Sequence, residues 1–248
     1  MTDQDFFSQS FLAHIVELRN RLIRCIVVIL VIFIGLFAFS NDLYLYISEP
    51  LRAQLPETST MIATDVASPF LTPFKLTLVL SFFAAMPFIL YQVWAFAAPG
   101  LYKKEKIIMV PLFFSSVFLF YAGMAFAYYA VFPLIFLFFT SIGPEGVAVM
   151  TDIRSYLDFV LKLFFAFGLS FEIPIAVVIL SWVGAVNPDE LAKKRPYVFI
   201  LCFVLGMLLT PPDIISQTLL AVPMWLLFEV GIFFGRLVRS RGQEENQT

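Results

Sequence analysis

From residue 107 to residue 139 the chain runs without one charged side chain, and that stretch decides most of what the protein can be. A helix of that length rises 1.5 Å per residue and is more than long enough for the roughly 30 Å hydrocarbon core of a bilayer. Other apolar blocks fall at 22–39, 76–98, 157–186, interrupted by Pro174, and 214–235, with a shorter one at 197–209. Barrel strands would alternate apolar and polar residues over about 10 positions. These blocks are continuously apolar, so helices are the remaining way to satisfy the backbone in lipid. The chain of 248 residues is 60% hydrophobic and 14% charged, against about 25% charged in a soluble domain. The expectation is an all-α membrane protein with six transmembrane helices in a single membrane domain, 1–248, with a short, polar, frayed tail at 236–248.

Charge placement orients the spans. Six crossings put both termini on one side. That side carries Arg19, Arg21 and Arg24, Lys103, Lys104 and Lys106, Lys193, Lys194 and Arg195, and Arg236, Arg239 and Arg241, most of the 16 basic residues. Arg52, Lys75, Arg154 and Lys162 fall on the other side or near span ends. The positive-inside rule then makes both termini cytoplasmic. The first apolar block follows a stretch that contains acids, and no small-x-small cleavage site succeeds it, so it reads as a span and not as a removable leader.

The fifth block is too short to cross 30 Å, so the short hairpin of helices five and six, turned by "TPPD" (210–213), either stops short of the far surface or is met by a thinned bilayer. The first external loop, 40–74, is punctuated by Pro50, Pro56, Pro69 and Pro73 and predicts ordered turns and short helices. Net charge is −2, which gives no overall basic balance for nucleic acid. Cys25 and Cys202 lie far apart within apolar blocks, and no zinc spacing accompanies the single histidine, His14. No nucleotide-binding loop, metalloprotease helix or serine elbow occurs. No cofactor and no enzymatic activity are expected.

The acids carry what remains. Glu17 precedes Arg21 by one helical turn, so it is either half of a surface ion pair or a carboxylate held for an incoming cation. Glu105 is the one acid among Lys103, Lys104 and Lys106, with the same two readings. Glu172 falls near the middle of the fourth block, where a charge costs at least about 2.5–3.5 kcal/mol. It is either a neutral group bonded to a neighbouring helix or part of a site, and a proton-coupled solute carrier is the alternative it keeps open. Glu229 is the other acid within an apolar block. Asp213 follows two prolines at the start of the sixth block, a position suited to a helix cap.

Six ordered segments then carry a resemblance: "HIVELRNRL" (14–22), "SPFLTPFKL" (68–76), "YQVWAFAAPGLYKKEK" (91–106), "FAFGLSFEIP" (165–174), "KKRPYV" (193–198) and "LTPPDIISQ" (209–217). The chain resembles the TatC family, the large polytopic subunits of the twin-arginine protein translocase, in its gamma-proteobacterial form. The resemblance covers all but about the last ten residues. It implies a curved, glove-like arrangement of six helices with short helices five and six. It also implies a receptor in the bacterial inner membrane that binds twin-arginine signal peptides of folded precursors. The receptor would work in a multi-copy complex with TatA and TatB, driven by the proton-motive force. By the same resemblance Glu17 and Glu105 receive the two arginines, and Arg19, Phe96, Leu101, Tyr102 and Lys103 shape that surface. Pro50 shapes the first external loop, Glu172 is the polar point within the spans, and Thr210 and Gln217, with Asp213 beside them, dock a partner subunit.

Overall fold

The computed structural model describes residues 3–53, 61–97, 106–141, 150–210 and 213–245, and nearly all of them are helical. In chain order the helices are α1 (Asp3–Phe37), α2 (Ser40–Arg52), α3 (Ser68–Ala84), α4 (Met86–Ala97), α5 (Lys106–Phe126), α6 (Phe132–Ser141), α7 (Ile153–Ser170), α8 (Ile173–Trp182), α9 (Pro188–Lys193), α10 (Arg195–Leu209) and α11 (Ile214–Glu245). A π-helical segment, Ala127–Val131, joins α5 to α6.

Among the described residues four stretches are long and apolar enough to cross a membrane: His14–Phe37, Val110–Ser141, Ile153–Trp182 and Ile214–Val238. A fifth is the pair Ser68–Ala84 and Met86–Phe96, bent by 48°. Pro87 lacks the N–H that would continue the ladder there, which accounts for the bend. Arg195–Leu209 is apolar but has only 15 residues, about 22 Å of helix at 1.5 Å per residue.

The helices run past the apolar blocks at several points, the first beginning already at Asp3, and the interruption expected at Pro174 is a break. The second apolar helix begins at Ser68, ahead of the apolar block, with Pro69 in the first turn, where a proline is tolerated, and Pro73 inside the helix. The sixth continues to Glu245 through Arg236, Arg239, Gln243 and Glu244, residues that favour helix. The fourth breaks two residues before Pro174. The chain leaves α7 at Ser170, turns through Phe171 and Glu172, and re-enters helix at Ile173. Pro174 cannot donate to the carbonyl of Ser170, so the ladder ends there, and the Glu172 N–H takes the nearer Leu169 carbonyl at 3.1 Å.

The chain divides into two compact units, one of 1–44 and 73–117, the other of 45–72 and 118–248. In the first, α1 packs on α3 through Phe33, Phe37 and Phe74, with ring centroids 5.2–6.0 Å apart. Ile23, Val27, Val31 and Ile34 on α1 remain exposed, as lipid-facing residues of a span do.

In the second unit, α5 and α7 meet through glycines. A Cβ on Gly123 would stand 2.6 Å from the Phe167 carbonyl oxygen, and one on Gly168 would stand 2.8 Å from the ring of Phe120. Gly231 and Gly235 of α11 approach α8 in the same way, at Val177 and Ser181. Small residues that let backbones close on each other are the usual means of joining helices in lipid, where burial of apolar surface supplies no drive.

The π-helical segment re-phases one long span. Up to its first residue the covered positions are Ser116, Phe120, Gly123 and Ala127, and from its last residue on they are Val131, Phe132, Ile135 and Phe136. Unbroken α-winding would have turned Leu134 inward, and Leu134 is exposed. Pro133, which lacks an N–H, sits just beyond the segment and loosens the turn. The amide of Phe132 reaches back to Ala127, five residues, instead of four.

At one end of this unit α2 is tied down by two tyrosines. Tyr128 donates to the Tyr46 carbonyl and Tyr156 to that of Ile47, both at 2.8 Å. Pro50 explains the first bond: it cannot accept the role of donor to Tyr46, four residues back, and the freed carbonyl takes the phenol. The same end is stitched by Ile62 to Thr151 and Ile153 at 3.0 and 2.9 Å. Asp152 caps α7 and also receives Thr64, through its amide at 3.2 Å and its hydroxyl at 3.0 Å.

Candidate functional site

In the first unit the polar residues of α1 and α4 form a small network over an apolar groove. Arg21 donates from Nε and Nη2 to one oxygen of Glu17, at 2.9 and 2.6 Å. Its Nη1 reaches Gln92 Oε1 at 2.9 Å and its Nη2 the Ala95 carbonyl at 3.2 Å. A single guanidinium thus spends its planar fork on holding Glu17 and on joining α1 to α4. Glu17 stays partly open, with 37% of its side chain exposed. Its second carboxylate oxygen takes no bond among the described residues.

Below the network runs a cavity of about 230 Å³. Leu18, Leu22, Ile26 and Ile29 of α1 line one wall, and Ile89 and Val93 of α4 line the other. Phe96 closes its polar end and stacks on His14, with centroids 4.2 Å apart and planes 22° apart. Arg19 is exposed and contacts only its neighbour Asn20 among the described residues, at 3.2 and 3.4 Å. Glu105, Leu101, Tyr102 and Lys103 lie outside the described residues. From sequence, Glu17 is either half of a pair with Arg21 or a carboxylate held for an incoming cation. The geometry shows the pair, made through one carboxylate oxygen.

The other predicted residues belong to the second unit. Glu172 sits in the break of the fourth span, directly ahead of α8. There the positive end of the α8 dipole favours a carboxylate. Thr210 donates to the Gly206 carbonyl at 2.9 Å, and Gln217 Nε2 donates to the Phe203 carbonyl at 2.8 Å, fastening α11 to α10. Asp213 Oδ1 accepts the Ser216 amide at 2.7 Å and caps α11. Asp213 Oδ2 and the Ser216 hydroxyl are shielded from solvent with no partner among the described residues.

Sequence reasoning missed the ion pairs that fasten α11 to α10 and α9. Arg195 holds Glu229 through Nε–Oε1 at 2.6 Å and Nη2–Oε2 at 2.7 Å. Arg236 holds Asp189 at 2.9–3.0 Å. The signal for the first was a lone acid in an apolar block, which needs a partner. No spacing rule, however, links positions 34 residues apart. Among the described residues no cluster of His, Cys, Asp and Glu could hold a metal ion.

Several apolar helices of crossing length, one of them broken at a carboxylate, define a membrane-integral, multi-pass helical protein. The TatC family profile, described as Sec-independent protein translocase protein (TatC), matches residues 13–223. The chain therefore belongs to the TatC family, a family of protein-translocase components and not of enzymes. It is 62% identical over 240 residues to the TatC of Azotobacter chroococcum mcd 1, covering 97% of this chain and 93% of that one. Identity to the TatC of Escherichia coli strain K12 is 58% over the same shares. A crystal structure of the twin-arginine translocase receptor TatC superposes with a TM-score of 0.81 at 36% identity, covering 91% of this chain and 99% of that one.

Proposed function

We infer that this protein is the receptor subunit of a twin-arginine translocase, binding the paired arginines of a signal peptide at Glu17 and Glu105. The observation that carries the reading is the Glu17 carboxylate, held in place by Arg21 at the polar end of an apolar groove. A second guanidinium pairs with the remaining carboxylate oxygen without breaking the first contact. Likeness to a crystal structure of the twin-arginine translocase receptor supports the same role.

Six spans with both termini in the cytoplasm complete the reading. The bent pair α3–α4 and the short α10 count as crossings beside the four long ones, and the basic residues set the orientation. The location is the bacterial inner membrane. TatA and TatB are the partner subunits, recruited through the α10–α11 tip at Thr210 and Gln217, in a complex of several copies driven by the proton-motive force. Phe96, Arg19, Leu101, Tyr102 and Lys103 shape the arginine site, and Glu172 lowers the polar barrier within the spans.

The test is binding of a labelled precursor to membrane vesicles carrying the complete translocase. A charge-assisted hydrogen bond contributes about 1.5–3 kcal/mol, so Glu17→Gln should weaken binding about ten- to hundredfold. Lys-Lys in the precursor should do the same. Equal binding in all three cases would overturn the receptor reading.

A further inference from the structure

We propose that the groove between α1 and α4 seats the apolar segment that follows the paired arginines of a signal peptide. The proposal rests on the reading of Glu17 as an arginine acceptor and assigns a second, apolar contact to the same ligand.

Position is the first argument. Leu18 and Arg21 line the groove, and Arg21 holds Glu17 at 2.6 Å. An arginine bound at Glu17 therefore delivers the residues next to it at the groove's mouth. From Leu18 to Ile29 the groove follows α1 for about 16 Å at 1.5 Å per residue, away from the polar network. Leu18, Leu22, Ile26 and Ile29 recur once per turn, and so do Ile89 and Val93 on the facing helix. Two such stripes make a furrow for an apolar helix, anchored at every turn.

Size and charge select the occupant. About 230 Å³ is below the roughly 300–1,000 Å³ that encloses a drug-sized ligand, so the groove takes side chains of something lying along it. A lipid phosphate would find Arg21 already neutralised by Glu17 and bonded to Gln92. A ligand that begins with a cation and continues apolar finds the open carboxylate oxygen first and the groove second. Lipid tails are as apolar as leucine, so the groove holds its ligand by packing and not by removing it from water. Packing of that kind suffices once the arginine is bound, because the second contact is then intramolecular.

The test places a photo-reactive phenylalanine analogue at Leu22, Ile26 or Val93 in the complete translocase in membranes. Controls carry it at Ile23 or Val31, which are exposed on α1 but do not line the groove. A precursor with Arg-Arg should crosslink from the three groove positions and not from the controls. The adducts should be lost with Lys-Lys and with Glu17→Gln. Leu22→Cys with a cysteine in the precursor's apolar segment repeats the test with a smaller side chain and should give a disulfide. If the groove positions give only lipid adducts while binding remains arginine-dependent, the groove is a lipid seat and the proposal falls, with the receptor reading intact. Groove adducts indifferent to the arginines would also overturn it. Loss of arginine dependence in binding itself would remove the receptor reading as well.

Discussion

Replacing Gly123 by alanine tests how closely α5 and α7 are packed. The added Cβ would stand 2.6 Å from the Phe167 carbonyl oxygen, 3.0 Å from its carbon and 2.9 Å from the Phe171 ring. Ordinary contact begins near 3.4 Å, so the two helices must part by about 0.8 Å in an interior that is otherwise close-packed. Overpacking costs about 1–3 kcal/mol, and the upper half applies because the obstacle is backbone and cannot rotate away. Against this, alanine is preferred over glycine in a helix by up to about 1 kcal/mol. The net cost is about 1–2 kcal/mol. A protein of this size loses about 2–4 °C of Tm per kcal/mol, so Gly123→Ala should lower the melting midpoint of detergent-solubilised protein by about 2–8 °C. Gly168→Ala, which meets the Phe120 ring and no backbone, should cost less. Gly35→Ala on α1, with nothing within 4 Å, should leave the midpoint unchanged or raise it. The assay is loss of the monodisperse chromatographic peak after heating. A midpoint for Gly123→Ala at or above that of Gly35→Ala would refute the packing argument.

Other perturbations have equally definite outcomes. Glu229→Arg or Arg195→Glu should each reduce the amount of folded protein recovered from membranes, and the double reversal should restore it; failure to restore would show that the bidentate pair does not hold α10 to α11. Asp152→Ala removes the cap of α7, with a cost of about 1 kcal/mol visible in the same heating assay. The backbone N–H of Ser155, with further bonds from Thr64, holds the Asp152 carboxyl down at about 2, below the ordinary value of about 3.9. The cap's contribution is therefore complete above about pH 4 and disappears as pH falls through about 2, so the stability difference between wild type and Asp152→Ala should close only in that window. Gln92→Leu should leave the Glu17–Arg21 pair in place and remove one of the two bonds of Arg21 to α4, that to the Ala95 carbonyl remaining. Precursor binding should weaken less than in Glu17→Gln, and a larger loss would show that Gln92 touches the ligand itself.

Much of the fold was legible because lipid leaves so few choices. A charge-free run such as 107–139 has no other stable form than helix, and the apolar blocks fall largely within helices, although α1, α3 and α11 run well past theirs. What escaped lay in the third dimension or in single residues. Pro174 announced a break in the fourth span, but which carbonyls Phe171 and Glu172 would take was not readable. Arg195 and Glu229 meet because α10 and α11 form a hairpin, and no local pattern encodes that pairing. The Glu17–Arg21 contact was visible as an i,i+4 spacing, while the reach of Arg21 to Gln92 depends on α4 lying alongside. The acid Glu105, readable in the sequence, lies outside the described residues.

The π-helical segment also constrains how this chain can vary. One residue more or less in an α-helix turns everything beyond it by about 100°. The segment Ala127–Val131 behaves as a built-in insertion of that kind, threading α6 onto α5 at a new angle. The rings of Phe132 and Phe136 meet Phe164 and Tyr156, at 5.0 and 5.4 Å, only at that angle. Substitution of the exposed Tyr129 should be absorbed as long as the number of residues is kept, whereas Tyr128 holds the Tyr46 carbonyl and Ala127 and Val131 are buried. Deleting one of the five would rewind the span into a continuous α-helix and swing the aromatic face away from α7. In this stretch the chain is read by count before it is read by chemistry.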